Sequence, residues 1–164
     1  MASILMRNVY GAISRSEWVG INTARKCSIK RYKLKRRLKK EETDNLLPLL
    51  LRVMDLLLCL SKDYQKNIEN FDGRYLLQTK KGGFRSGVIF SDGYMKIPEE
   101  DMLYPDVEIT FEDPKSLLQF ILSKRQDMLD LVLNNGIEID GNFNLALKFW
   151  FMVRELKERL GLET

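Results

Sequence analysis

The sequence predicts an α+β domain. We expect a mostly antiparallel sheet of about five strands with helices covering one face, preceded by a basic N-terminal arm and an apolar helix. Two stretches and one charge imbalance carry this prediction. In the first stretch, Val107, Ile109 and Phe111 alternate with Glu108, Thr110 and Glu112, the period-2 pattern of a half-buried strand. Asp113-Pro114 then supplies a helix cap and a first-turn proline. In the second, Ile137 and Ile139 alternate with Glu138 and Asp140, Gly141 turns the chain, and a long apolar helix follows Asn142. The imbalance lies at the N-terminus: residues 1–42 carry twelve Lys/Arg against three acids, a balance of +9 in a chain whose net charge is only +4. The basic character therefore belongs to the arm and not to the fold.

Length and composition bound the rest. A chain of 164 residues holds one domain plus appendages, which places the arm at 1–42 and the domain at 43–164. With 45% hydrophobic and 30% charged residues, it reads as globular, neither disordered nor membrane-spanning. Histidine is absent, which removes the commonest general base and the commonest zinc ligand together. Cys27 and Cys59 lack metal-ligand spacing and are expected as free thiols in a cytoplasmic protein. No nucleophile–base pair, metal cluster or phosphate-cradling glycine loop can be assembled, so an enzyme is not expected. No catalytic residue, metal or cofactor is assigned.

Met1 to Gly20 lacks the continuous apolar core of a secretory signal, although its Arg/Ser-containing, acid-poor character faintly resembles a transit peptide. Arg25 to Lys40 is a dense basic run. Its cations Arg31, Lys33, Lys35, Arg36, Arg37, Lys39 and Lys40 are the candidates for an anionic membrane surface, each contributing on the order of 1 kcal/mol near such a leaflet. A solvated extension is the plainer account of the same run. Nucleic acid ranks below the membrane, because Tyr32 stands alone and offers no stacking platform.

Leu46 to Leu60 is apolar on nearly every side, too short to span a bilayer, and must be covered. Tyr75, Leu77 and Thr79 begin a strand, Lys81-Gly82-Gly83 turns it, Phe84 to Phe90 returns, and Asp92-Gly93 makes a second tight turn into Tyr94–Ile97. Three such strands in succession form a meander. Pro98 to Pro105 reads as an irregular acidic connection. In the last helix Leu145, Phe149, Met152, Leu156 and Leu160 form one stripe, which Phe143, Leu147, Trp150 and Phe151 widen.

The stretches PDVEITFEDPKSLLQFI and GIEIDGNFNLALKF, with the order of elements around them, resemble the sterol carrier protein family of lipid-binding domains. The resemblance covers roughly Ser61 to Arg154 and does not reach the arm. It departs from the family at Ser123-Lys124-Arg125-Gln126, where a short glycine-containing link is usual, and in the aromatic weight of the last helix. What it implies is a hydrophobic tunnel enclosed by helices and sheet, which takes a fatty-acyl, sterol-like or isoprenoid lipid without covalent chemistry. The wall candidates are Phe90, Phe120, Leu129, Leu133, Phe143, Leu147 and Trp150. Ordinary core packing is the competing account of each.

Two functions of different class follow. One is lipid binding, transport or presentation by a cytoplasmic protein that contacts membranes peripherally through the arm. The other is an interaction or scaffold module for an anionic surface or partner protein, including an accessory subunit of lipid or quinone biosynthesis. A homodimer is compatible with either.

Overall fold

The computed structural model describes residues 46–81, 84–113, 116–117, 120 and 128–160. The chain divides into two compact units, Met1–Glu69 and Asn70–Thr164.

In the first unit, helix α1 runs Leu46–Leu60 and a short helix α2 runs Lys62–Gln65, followed by a 3-10 turn at Lys66–Ile68. The all-round apolarity of α1 is matched by its burial. Leu47, Leu50, Leu51, Val53, Met54 and Leu56–Leu58 are all buried, and at 100° per residue they occupy more than half of the helix circumference. Ser61 starts α2 by accepting a hydrogen bond from the Tyr64 amide at 3.3 Å. Cys59 is disulfide-bonded, which corrects the expectation of free thiols. That expectation rested on the usual redox state of the cytoplasm and not on geometry. The other cysteine of the sequence, Cys27, lies outside the described residues. Among the described residues no helix is long and apolar enough to cross a membrane.

The second unit holds the sheet. Its strands are β1 Gly73–Thr79, β2 Arg85–Ser91, β3 Tyr94–Lys96, β4 Val107–Phe111 and β5 Ile137–Gly141, in the order β3-β2-β1-β4-β5. The meander is present as expected: β1–β2 and β2–β3 are antiparallel, and so is β4–β5. The one parallel pair is β1–β4, with Tyr75 opposite Val107 and Thr79 opposite Phe111. Asp92 and Gly93 both take positive φ (52° and 71°), the conformation demanded by the two-residue turn between β2 and β3.

Helix α3 spans Met128–Leu133 and helix α4 spans Phe143–Leu160. Asn135 (φ 55°) closes α3 in the left-handed conformation. There the Gly136 amide donates to the Leu131 carbonyl at 2.8 Å and the Asn135 amide to Val132 at 3.1 Å. Asn142 caps α4, its side-chain oxygen accepting from the Asn144 amide at 3.0 Å. Asp113 caps the helical turn after β4 as the sequence predicts, with its Oδ1 accepting from the Ser116 amide at 2.7 Å.

One face of the sheet carries Tyr75, Leu77, Val88, Phe90, Met95, Val107, Ile109, Phe111 and Ile137, all buried. Helix α4 packs on this face through Phe149, whose ring lies 5.5 Å from that of Tyr75, and Phe120 packs there through Phe111 at 5.4 Å. The other face is mostly polar. Gln78 joins Glu108 and Thr110 across β1–β4 and accepts from Arg85 at 2.8 Å. Its buried apolar residue, Leu76, pairs with Gly87 of β2. Pro98 and Met102 of the β3–β4 connection close over Gly87, where an added Cβ would meet them at 2.9 and 3.0 Å. A glycine inside a strand marks just such a close approach.

Candidate functional site

The helix-covered sheet face is the candidate site, and it is built almost wholly from apolar side chains. Alternation along β1, β2 and β4 aims every second residue inward, which brings Tyr75, Phe90 and Phe111 to one layer. Phe90 is fully buried, with its ring 5.5 Å from Tyr75 edge-on and 5.8 Å from Phe71. These centroid separations are those of favourable aromatic pairs.

Tyr75 contributes the one titratable group of this aromatic cluster. Its hydroxyl donates to the Leu145 carbonyl in the first turn of α4 at 3.0 Å. Burial first, and the Asp106 carboxylate second, push the phenol well above its usual value. The group is therefore a neutral donor already engaged in packing the helix, and is unsuited to act as a base.

At the rim, Asp106 clamps the strand ends. It accepts from the Arg74 amide at 2.8 Å and from the guanidinium at 2.9 and 3.3 Å, and these hydrogen bonds hold its carboxyl below the usual carboxylate range. Its backbone carbonyl accepts from the Asn142 amide at 3.0 Å, so the β3–β4 connection and the start of α4 meet at one end of the sheet. Gly141 permits that meeting: its φ is 96°, and an added Cβ would lie 2.5 Å from the Asp106 carbonyl oxygen.

The structure brings some of the seven wall candidates together and separates others. Phe90 and Phe120 are buried on the inner sheet layer. Leu147 and Trp150 are half-buried on α4. Phe143 is 40% exposed at the first position of α4, and Leu133 is 77% exposed at the last position of α3. The side chain of Leu129 lies outside the described residues, as do the arm cations Arg31, Lys33, Lys35, Arg36, Arg37, Lys39 and Lys40.

Sequence reasoning treated Phe143, Leu147, Trp150 and Phe151 as a widening of one stripe, but α4 carries two. Ala146, Phe149, Met152, Val153, Leu156 and Leu160 are buried, whereas Phe151 is 47% exposed and stacks on Trp150 at 4.9 Å. The Arg154 guanidinium lies over both rings, at 5.3 and 5.2 Å. Two further apolar residues went unmarked in the sequence. Leu103 and Tyr104, in the connection read as acidic, are 79% and 77% exposed.

Solved structures that the chain is similar to include UbiJ-SCP2, a ubiquinone synthesis protein, at 15% identity, covering 66% of this chain and 96% of that one with a TM-score of 0.49. Another is the apo form of sterol carrier protein 2 from Yarrowia lipolytica, at 15% identity, 73% and 96% coverage, and a TM-score of 0.49. A third is a double mutant of the sec-alkyl sulfatase PisA1, at 14% identity, 63% and 16% coverage, and a TM-score of 0.50. Sterol carrier protein domains thus recur among the structures that this chain is similar to, as its sequence predicts. No family model and no curated protein matches the chain. At these identities the likeness is one of fold, and only 16% of the sulfatase is spanned, so nothing of its activity carries over.

Proposed function

We propose that this chain binds an apolar lipid without chemistry, to carry it or present it to another protein. The observation behind this is the inner sheet layer, where Phe90, Phe111 and Phe120 are buried and the hydroxyls of Tyr75 and Thr79 are already hydrogen-bonded. Such a surface has nothing to offer a polar substrate and much to offer a hydrocarbon. The lipid-carrier reading also agrees with the sterol carrier proteins of similar fold. The proposed tunnel runs between the helices and the sheet, with Phe90 and Phe120 along its wall and Leu133 and Phe143 towards its opposite ends.

Enclosing about ten methylenes contributes roughly 8 kcal/mol gross at about 0.8 kcal/mol each. Association costs of about 4 kcal/mol or more leave weak to micromolar affinity, which suits a carrier that has to release its cargo. The basic arm supplies the membrane contact at which exchange takes place, and its attraction weakens as salt screens it.

Denaturing extraction of the purified full chain, followed by mass spectrometry, is expected to recover a fatty-acyl, sterol-like or isoprenoid lipid. A fluorescent acyl probe is expected to bind and to be displaced by long-chain lipids, with Phe120→Trp weakening it by roughly tenfold through overfilling of the wall. No recovered lipid together with no probe binding overturns the carrier reading. Replacing the seven arm cations by Gln is expected to reduce adhesion to anionic vesicles and leave probe binding intact. If probe binding falls and adhesion stays, the division of labour is wrong.

A further inference from the structure

Cys59 is disulfide-bonded, and no described cysteine is free. The sequence holds two cysteines, so within one chain the partner can only be Cys27. Both fall in the same compact unit, Met1–Glu69. Cys59 is the next-to-last residue of α1 and is half-buried, within reach of a small thiol. The Ser61 amide donates to the Leu57 carbonyl at 2.8 Å, and Ser61 in turn caps α2. The sulfur of Cys59 is therefore carried by a hydrogen-bonded junction of two helices and not by a loose end.

We infer that Cys27 and Cys59 form a redox-sensitive clasp, which closes residues 28–58 into a covalent loop and fastens the basic run to the end of α1. The clasp depends on neither the lipid nor the membrane part of the reading above, and only its consequence for adhesion rests on the latter. Two features make it a switch and not a permanent staple. Cys59 is open to attack, and Cys27 is flanked by Arg25, Lys26 and Lys30, whose charges favour its departure as a thiolate. Opening begins when the thiolate of a small thiol of the glutathione class attacks the Cys59 sulfur. The Cys27–Cys59 bond breaks, and Cys27 leaves with the electron pair and takes up a proton. A second thiolate attacks the mixed disulfide, so that Cys59 leaves as a thiol and glutathione disulfide is formed. Two electrons and two protons have then passed to the protein, and glutathione disulfide reverses the exchange. Disulfides of cytoplasmic proteins are usually transient ones of this kind. Closed, the basic run is held at both ends. Open, it is a tail joined only to α1, free to lay its cations on an anionic surface.

The test uses the full chain, quenched in acid, alkylated at its free thiols and digested with trypsin without reductant. The peptide Cys27–Lys30 is expected to appear joined to Val53–Lys62 and to separate from it in dithiothreitol. In equilibrium with glutathione, the joined pair is expected to dominate when the disulfide form is in excess. In excess reduced glutathione it is expected to fall by roughly tenfold or more, while circular dichroism shows the chain still folded. The open form is expected to adhere to vesicles of phosphatidylcholine with phosphatidylglycerol roughly threefold more tightly than the closed form. Cys27→Ser, which leaves α1 unaltered, is expected to behave as the open form whatever the glutathione ratio. Both thiols alkylated in excess glutathione disulfide, or the peptides joined only in disulfide-linked dimers, overturns the clasp. A pair that stays joined in excess reduced glutathione overturns the switch. Equal adhesion by the two forms overturns the consequence for membranes, and adhesion by neither overturns the membrane role of the arm as well.

Discussion

At the scale of single residues, Gly141 and Tyr75 decide how α4 meets the sheet. Gly141 combines a positive φ with a carbonyl oxygen 2.5 Å from where its Cβ would be, so both backbone strain and a clash oppose any side chain. Gly141→Ala is expected to cost about 2–4 kcal/mol in urea denaturation, against about 1 kcal/mol for Gly93→Ala, where φ is also positive but the surrounding space is open. Equal costs would mean that the close approach to Asp106 does not matter. Tyr75 makes a prediction in pH. Its folded-state value is raised above the unfolded 10.0, so its contribution is intact below about pH 10 and is lost as the pH climbs beyond it. Tyr75→Phe is expected to be less stable by about 1 kcal/mol at neutral pH and to converge on the parent chain in alkali, followed by denaturation at a series of pH values. A gap that stays constant with pH would contradict the assignment. Turn residues and caps were the most legible single positions. Asp92-Gly93, Asn135, Asn142 and Asp113 take the roles their side chains and φ preferences dictate. The roles of Gly87 and Tyr75 depend on partners 11 and 70 residues away, and no local pattern contains them.

At the scale of elements, α4 shows where periodicity stops informing. Helical spacing identifies every apolar residue of the helix, but two stripes of similar character look the same in one dimension. Only packing separates Phe149, which is sealed, from Phe151, which is 47% exposed. Phe149→Ala is expected to cost about 3–5 kcal/mol and Phe151→Ala less than about 1 kcal/mol, measured by thermal or chemical unfolding. Similar costs would show that the outer stripe is structural after all. Leu133 teaches the same lesson from the opposite side. It fits an inward position by spacing, but α3 is six residues long and Leu133 is its last, so the chain turns away before the side chain is covered. For α1 no such ambiguity arose, because a helix apolar nearly all round has to be buried whichever way it faces.

At the scale of the whole molecule, the strands could be read and their neighbours only in part. Tight turns predict the β1–β2–β3 meander directly, whereas β4 reaches β1 across the whole length of that meander. The outcome is a sheet whose rims are β3, of three residues, and β5, of five. Lys96 on one rim and Glu138 and Asp140 on the other leave an incoming chain a short, charged ladder on which to pair. This architecture resists fibre-like stacking from both sides, so the chain can expose an aromatic helix face at working concentrations without its sheets joining end to end.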